Sequence, residues 1–114
     1  MAQIKTGRWI TPSGQSESNG LVIGGDTLVG VYTPAALDAA QLKVQSSPDG
    51  TNFSDVLDGG APIQFPADVD AYAALDPTKL LGARYVRIAH LDAGGSAVNE
   101  TADRELKPVF RSFE

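Results

Sequence analysis

The chain has 114 residues, no cysteine and a formal net charge of −5 at pH 7. This length suits one soluble domain, and the absence of cysteine excludes disulfide frameworks and thiolate metal clusters. The acidic balance argues against a nucleic-acid partner, whose phosphates bind clustered Lys and Arg, and no apolar stretch has the length of a signal peptide or the roughly 20 residues of a membrane span.

The first twenty residues differ in composition from the rest. Residues 2–10 contain Ile4, Trp9 and Ile10 and are predicted to form a short strand or an extended arm. Residues 11–20 are rich in Ser and Gly, which is typical of a linker or of an ordinary surface loop. We predict an N-terminal arm and linker at 1–20 and a folded domain at 21–114.

Residues 21–58 contain short apolar runs separated by turn residues, a spacing typical of an all-β sandwich. The run at 27–33 is almost continuously apolar, which predicts burial on both faces, either by a second sheet or by another subunit. Residues 41–46 alternate, so Leu42 and Val44 are predicted to point inward. Residues 47–51, Ser-Pro-Asp-Gly-Thr, then supply turn chemistry.

The second half continues the pattern. Residues 69–75 have period-two spacing, and residues 76–82 read as one helical turn that Asp76 caps. Residues 84–91 predict a strand with Val86 and Ile88 inward, and Pro108 predicts an edge or a break in a final strand at 104–113. The whole pattern predicts a jelly-roll-like antiparallel β-sandwich of about eight short strands.

Residues suited to catalysis are scarce. His90 is the only histidine, so a catalytic triad or a multi-histidine metal site lacks candidates, and we expect His90 to be structural or solvent-exposed. The aspartates fit backbone hydrogen bonding in turns better than a Ca²⁺ loop. We predict no catalytic, cofactor-binding or metal-binding residues.

The aromatic and large aliphatic residues near the two termini are the candidate partner-binding residues. They are Ile4, Trp9, Ile10, Phe110 and Phe113. Such side chains bury much area at interfaces at little entropic cost. Two alternatives stay open: the terminal strands pack on their own core, or they contact another subunit.

Two stretches resemble discoidin-like, galactose-binding-type jelly rolls. These are residues 42–53, an alternating strand that ends in Ser-Pro-Asp-Gly with an aromatic after it, and residues 83–88, Ala-Arg-Tyr-Val-Arg-Ile. The resemblance implies a β-sandwich, but the exposed aromatic or basic ligand loops of that family are not located here.

A second resemblance is to small virion structural proteins of tailed bacteriophages and prophages. It rests on residues 28–37, the Ser-Pro-Asp-Gly turn, residues 74–77 and residues 82–85. It implies a capsid decoration (cement) role or another small virion role. We predict a non-enzymatic decoration protein that is bound to the major capsid protein in the virion after assembly in the host cytoplasm. We also expect a homo-oligomer, with a trimer as one option. The alternative is a carbohydrate-binding module of a phage tail or capsid exterior.

Overall fold

The computed structural model describes residues 3–112, which form twelve strands and one 3₁₀ turn. The strands are β1 (Ile4–Thr6), β2 (Trp9–Thr11), β3 (Leu21–Val22), β4 (Asp26–Tyr32), β5 (Gln41–Ser47), β6 (Ser54–Asp55), β7 (Leu57–Asp58), β8 (Ala61–Pro62), β9 (Gln64–Pro66), β10 (Tyr72–Ala74), β11 (Tyr85–Leu91) and β12 (Arg104–Ser112). The 3₁₀ turn spans Pro77–Lys79 and precedes β11.

The strands form two five-stranded antiparallel sheets and a separate hairpin. The first sheet has the order β1-β12-β4-β10, and β2 also pairs with β12. The second has the order β3-β11-β5-β6, and β9 also pairs with β5. Strands β7 and β8 pair only with each other among the described residues. The predicted all-β fold with one helical turn is confirmed.

The core lies between the two sheets. Leu42 and Val44 of β5, with Val86 and Ile88 of β11, are completely buried, as their alternation predicts. Val44 lies opposite Ile88 in the register, so the two strands present their apolar side chains to one face. Leu106 of β12 is also completely buried in this core.

A β-bulge explains the apolar run in β4. Leu28 and Val31 are both completely buried although they lie three residues apart, which strict alternation forbids. Phe110 pairs with Leu28 and Val109 with Gly30, so Val29 is the extra residue. The bulge returns Val31 to the core, so neither face of this run needs a second subunit to explain the buried positions.

The N-terminal residues are integrated into the sheets, in contrast to the predicted arm at 1–20. Strands β1 and β2 pair with opposite halves of β12, and Trp9 of β2 is completely buried. The Trp9 indole N–H donates to the Val86 carbonyl of the second sheet at 3.1 Å. The following loop is tied down as well, because the Ser18 N–H donates to the Ile88 carbonyl at 3.0 Å. The sandwich therefore includes residues on both sides of the predicted boundary at residue 20.

Pro108 lies in an interior strand, so the expectation of an edge is wrong. The break lies instead in the N-terminal segment that pairs with β12, because β1 ends and β2 begins on either side of the position opposite Pro108. At this position the Gly7 N–H donates to the Pro108 carbonyl at 2.8 Å. The helical turn forms as expected, with the Asp76 carboxylate accepting from the Thr78 N–H at 3.0 Å.

Candidate protein-binding face

The predicted partner-binding residues divide between the two sides of the first sheet. Trp9 and Phe110 point into the core, with exposed fractions of 0% and 7%, so their assignment to a partner surface is corrected. Ile4 and Ile10 point to solvent, with exposed fractions of 71% and 36%. Phe113 lies outside the described residues.

Strand parity causes this division. Trp9 lies opposite Leu106, an inward residue of β12, and Ile10 lies opposite Glu105, which points outward. Because adjacent side chains of a strand point to opposite faces, Trp9 and Ile10 cannot serve the same surface.

We call the side of the first sheet that faces away from the core the outer face. Its apolar residues, which come from β1, β2, β4, β10 and β12, are Ile4, Ile10, Val29, Tyr32, Tyr72 and Val109. Four of them, Ile4, Ile10, Tyr32 and Tyr72, are large exposed side chains.

Tyr32 and Tyr72 form the centre of the outer face. They lie opposite each other in the register of β4 and β10, with ring centroids 4.7 Å apart and a 46° tilt. The Tyr72 hydroxyl donates to the Val29 carbonyl at 3.4 Å. Gly30 makes this arrangement possible, because a Cβ there would lie 2.1 Å from the Tyr72 hydroxyl oxygen. The absence of a side chain at Gly30 lets the Tyr72 ring lie over β4.

Two grooves meet at Tyr32. One is lined by Ile4, Val29, Tyr72, Pro77, Val109 and Arg111, and contains no carboxylate among its lining residues. The other runs past residues 33–36 to Asp103, Glu105 and Lys107. The outer face is therefore concave on both sides of the tyrosine pair.

Charges of both signs lie on or beside the outer face. Arg8, in the connection between β1 and β2, and Glu105 of β12 form an exposed ion pair of 2.5 Å, and Asp103 lines the groove beside Tyr32. Lys107 and Arg111 of β12 are basic. The Lys107 ammonium is exposed and makes no ion pair among residues 3–112.

The one histidine belongs to a buried polar network that the sequence did not indicate. His90 Nε2 lies 2.7 Å from the Thr11 hydroxyl, and Nδ1 lies 3.0 Å from Glu100 Oε2. Burial lowers the pKa of His90 below its ordinary value, outweighing the opposite effect of Glu100. The imidazole is therefore neutral at pH 7, with Nδ1–H donating to Glu100 and Nε2 accepting from Thr11.

The Glu100 carboxylate is bonded to three other parts of the chain. Its carboxylate accepts from the backbone N–H groups of Asp38 and Ala39, at 2.9 and 3.0 Å, and from Arg104 Nε at 2.8 Å. Burial raises the pKa of Glu100, but these hydrogen bonds and the one from His90 outweigh it and lower the pKa below its ordinary value. The ionised carboxylate thus holds the 38–39 loop against β11 and β12.

The hydroxyl, imidazole and carboxylate have the connectivity of a catalytic triad. Thr11 and His90 are completely buried and Glu100 is 1% exposed, so a substrate cannot reach the Thr11 hydroxyl in this conformation. The described part of the chain contains no buried side-chain N or O atom without a hydrogen-bond partner. The network therefore acts as an internal polar connection, and His90 has the structural position that we expected.

Asp49 is an example of an aspartate that stabilises a turn. Asp49 accepts from the backbone N–H groups of Thr51 and Asn52 at 2.8 and 2.9 Å, which lowers the pKa of its carboxyl group. This is the turn role predicted for the aspartates. Within residues 3–112, no group of three or more His, Asp or Glu side chains is arranged to hold a metal ion. Nor does any helix of this part have the length and apolar character needed to cross a membrane.

Sequence reasoning missed the tyrosine pair and Glu100. Tyr32 ends the apolar run of β4, and only the bulge at Val29 determines that it points outward. The period-two spacing of residues 69–75 puts Val69, Ala71, Ala73 and Leu75 on one face and Tyr72 on the opposite one, which is a signal that could have identified an exposed aromatic. Glu100 follows a loop with no pattern that marks a buried carboxylate.

The chain is similar to known proteins in its fold. No protein-family model matches the chain, and no curated protein matches it. A solved structure of the SPBc2 prophage-derived protein YomS superposes with a TM-score of 0.61 and 13% identity, over 98% of this chain and 96% of that one. A chain of the cyanophage Pam1 capsid asymmetric unit gives a TM-score of 0.38 and 18% identity, over 96% of this chain and 82% of that one. The chain thus shares the fold of a prophage-derived protein.

Proposed function

We propose that the protein is a non-enzymatic structural component of a bacteriophage virion, a decoration protein that binds the head lattice of the major capsid protein. The observation that carries this proposal is the outer face, where Ile4, Tyr32 and Tyr72 are exposed by 71%, 51% and 44% on one sheet surface. A contiguous exposed apolar surface of this kind is typical of a protein-binding site.

Two further observations support the proposal. The similar fold of a prophage-derived protein agrees with the sequence resemblance to phage virion proteins. The sealed Thr11–His90–Glu100 network offers no accessible group for proton transfer, which favours an adhesive role over an enzymatic one.

In this mechanism the domain binds to the assembled shell and stabilises it. A small domain that binds assembled capsomers, and not separate ones, stabilises the assembled state by mass action. A stable contact of this type requires about 800 Å² from each partner, and a face of five strands with two concave grooves offers a large surface for it. A homo-oligomer stays a prediction, which light scattering of the purified protein tests.

The test uses capsids of the encoding phage that are assembled without this protein. The purified protein is expected to sediment with these capsids at saturable stoichiometry and to raise the temperature at which they rupture. Serum albumin mixed with the same capsids is the control for trapping in the pellet. A protein that stays in the supernatant at every concentration would contradict the decoration function.

Carbohydrate binding is the second candidate, and the groove beside Tyr32 favours it. A half-exposed aromatic ring there lies near Asp103 and Glu105. Stacking on an aromatic ring combined with polar groups of fixed geometry is a general mode of small-ligand recognition. Binding to a glycan array that disappears in a Tyr32→Ala variant would favour this function over capsid decoration.

A further inference from the structure

We propose that the free edge of β10 is a self-association site, at which two copies of this chain pair their β10 strands in antiparallel orientation and join their first sheets into one. The free edge is the side of residues 71–76 that faces away from β4. This inference rests on the homo-oligomer predicted with the proposed function, and it states where two copies meet.

The odd-numbered residues of β10 are bonded to β4. The Thr33 N–H donates to the Ala71 carbonyl at 2.8 Å. The Leu75 N–H donates to the Val29 carbonyl at 3.0 Å, so the ladder extends over residues 71–75. In an antiparallel pair, the N–H and C=O groups of successive residues point alternately to the two edges of the strand. The even-numbered residues therefore direct these groups away from β4.

Tyr72, Ala74 and Asp76 provide the hydrogen-bonding groups of the free edge. Asp76 continues the extended backbone, with φ of −78° and ψ of 107°. β10 is the last strand in the order of the first sheet, so no strand of residues 3–112 pairs with this edge. A groove runs between the edge and β9, and its lining includes Phe65, Pro66 and the side chains of β10. A partner strand therefore finds both hydrogen-bonding groups and space.

Most other edges of the two sheets carry a feature that opposes pairing with another chain. Lys5 lies in β1, Asp55 in β6 and Pro66 in β9. β3 has only two residues. Charged residues, prolines and very short strands are the usual means by which proteins prevent edge-to-edge association.

The edge of β2 is blocked by a side chain. Asn19 Oδ1 accepts from the Ile10 N–H at 2.7 Å, and Asn19 Nδ2 donates to the Arg8 carbonyl at 3.3 Å. Residues 71–75, Ala-Tyr-Ala-Ala-Leu, contain neither a charge nor a proline. Within the described part of the chain, β10 is therefore the edge that is open to pairing.

A second copy fits this edge because the edge is complementary to itself. A two-fold axis at Ala74 pairs Ala74 with Ala74 of the second copy, and Tyr72 with Asp76 of the second copy. Each of these pairs can exchange two backbone hydrogen bonds. No two carboxylates lie opposite each other in this register, which matters in a chain with a formal net charge of −5.

The length of the ladder limits the strength of the contact. A ladder of this length is smaller than the roughly 800 Å² that each partner buries in a standard interface. We therefore expect association at high protein concentration. Many copies side by side on a shell have a high local concentration. Pairing there would join two outer faces into one surface with two tyrosine pairs.

The first test is sedimentation equilibrium of the purified protein without capsids. Ala74→Lys changes an exposed residue of the free edge and places two ammonium groups opposite each other across the two-fold axis. Thr6→Lys makes the same charge change on β1, at the opposite edge of the same sheet. We expect Ala74→Lys to weaken dimerisation by at least about tenfold and Thr6→Lys to change it by less than about twofold. Thermal melting verifies that both variants are folded.

The second test is hydrogen exchange measured by NMR, which needs no variant. The Tyr72 and Ala74 amides are expected to exchange at least about tenfold more slowly as the protein concentration is raised, because pairing removes them from water. The Ile4 and Thr6 amides are the control. They point to the free edge of β1, because residues 3 and 7 are bonded to β12.

The outcomes separate this inference from the proposed function. A dimer that Ala74→Lys dissociates, with protected Tyr72 and Ala74 amides, supports the self-association site. A monomer at every concentration up to about 1 mM, or a dimer that Ala74→Lys leaves unchanged, would overturn it. Protection that appears only when capsids assembled without this protein are added would also overturn it, because the edge would then pair with a capsid strand. The decoration function is tested separately, by sedimentation of the protein with capsids.

Discussion

Truncation of Trp9 tests whether the N-terminal segment belongs to the sandwich. Trp9→Ala removes a completely buried indole and its hydrogen bond to the Val86 carbonyl. A buried tryptophan withdraws about 150–250 Å² from water, which at roughly 25 cal/mol per Å² corresponds to about 4–6 kcal/mol. Partial collapse of the cavity brings the expected loss to about 3–5 kcal/mol. This is a large fraction of the roughly 5–15 kcal/mol that stabilises a typical domain.

The free energy of unfolding is measured by urea titration with far-ultraviolet circular dichroism, because the variant lacks the only tryptophan fluorophore. Ile4→Ala is the control in the same N-terminal segment. Its side chain is 71% exposed, so we expect a change within about 0.5 kcal/mol. A loss of less than about 1 kcal/mol for Trp9→Ala would refute the integrated N-terminus and restore a separable arm.

Three further predictions concern the polar network and one turn. Lowering the pH from 7.5 to 4 is expected to reduce the urea midpoint, beginning at about pH 6.5, because the pKa of His90 is lowered in the folded state and the unfolded chain therefore binds more protons. The lowered pKa of Glu100 continues the loss of stability below pH 4.5. A midpoint that rises on acidification would contradict the neutral imidazole. Glu100→Gln is expected to lower the free energy of unfolding by about 3–5 kcal/mol in the same titration, because it breaks the buried ion pair with Arg104. The control Glu105→Gln breaks the exposed pair with Arg8 and is expected to cost at most about 1 kcal/mol. Equal losses would show that burial does not decide the strength of these pairs. Gly50→Ala is expected to lower the free energy of unfolding by about 1–2 kcal/mol, because φ is +81° and the new Cβ would lie 3.1 Å from the Tyr85 ring; an unchanged midpoint would show that this turn relaxes freely.

Features that depend on a few neighbouring residues were predictable. The alternation of Leu42 and Val44 identified β5 and its inward face, since the period of a strand is read within a few positions. The turn after β5 and the Asp76 cap also rest on residues within three positions of each other. Composition grouped Ile4, Ile10 and Trp9 together and could not show that the first two are exposed whereas Trp9 is buried.

The outer face was only partly predictable, because its members come from both ends and the middle of the chain. Ile4 of β1, Tyr32 of β4 and Tyr72 of β10 share one surface only when β12 lies between β1 and β4. The bulge at Val29 then decides which side of β4 faces solvent. Neither event leaves a local mark in the sequence.

The sequence by itself therefore determined the all-β class, the principal turns, the inward positions of β5 and β11, and the small supply of catalytic side chains, but it indicated about eight strands where residues 3–112 form twelve. The tertiary structure decided the fate of the N-terminus and the role of His90. Trp9 becomes a core residue because β2 pairs with β12, almost the full length of the chain away. His90 becomes a structural group because Thr11 and Glu100 reach it from two other segments, and burial lowers its pKa and so keeps the imidazole neutral. Turn and strand preferences act over a few residues, whereas burial and hydrogen-bond partners depend on contacts between segments that are distant in sequence.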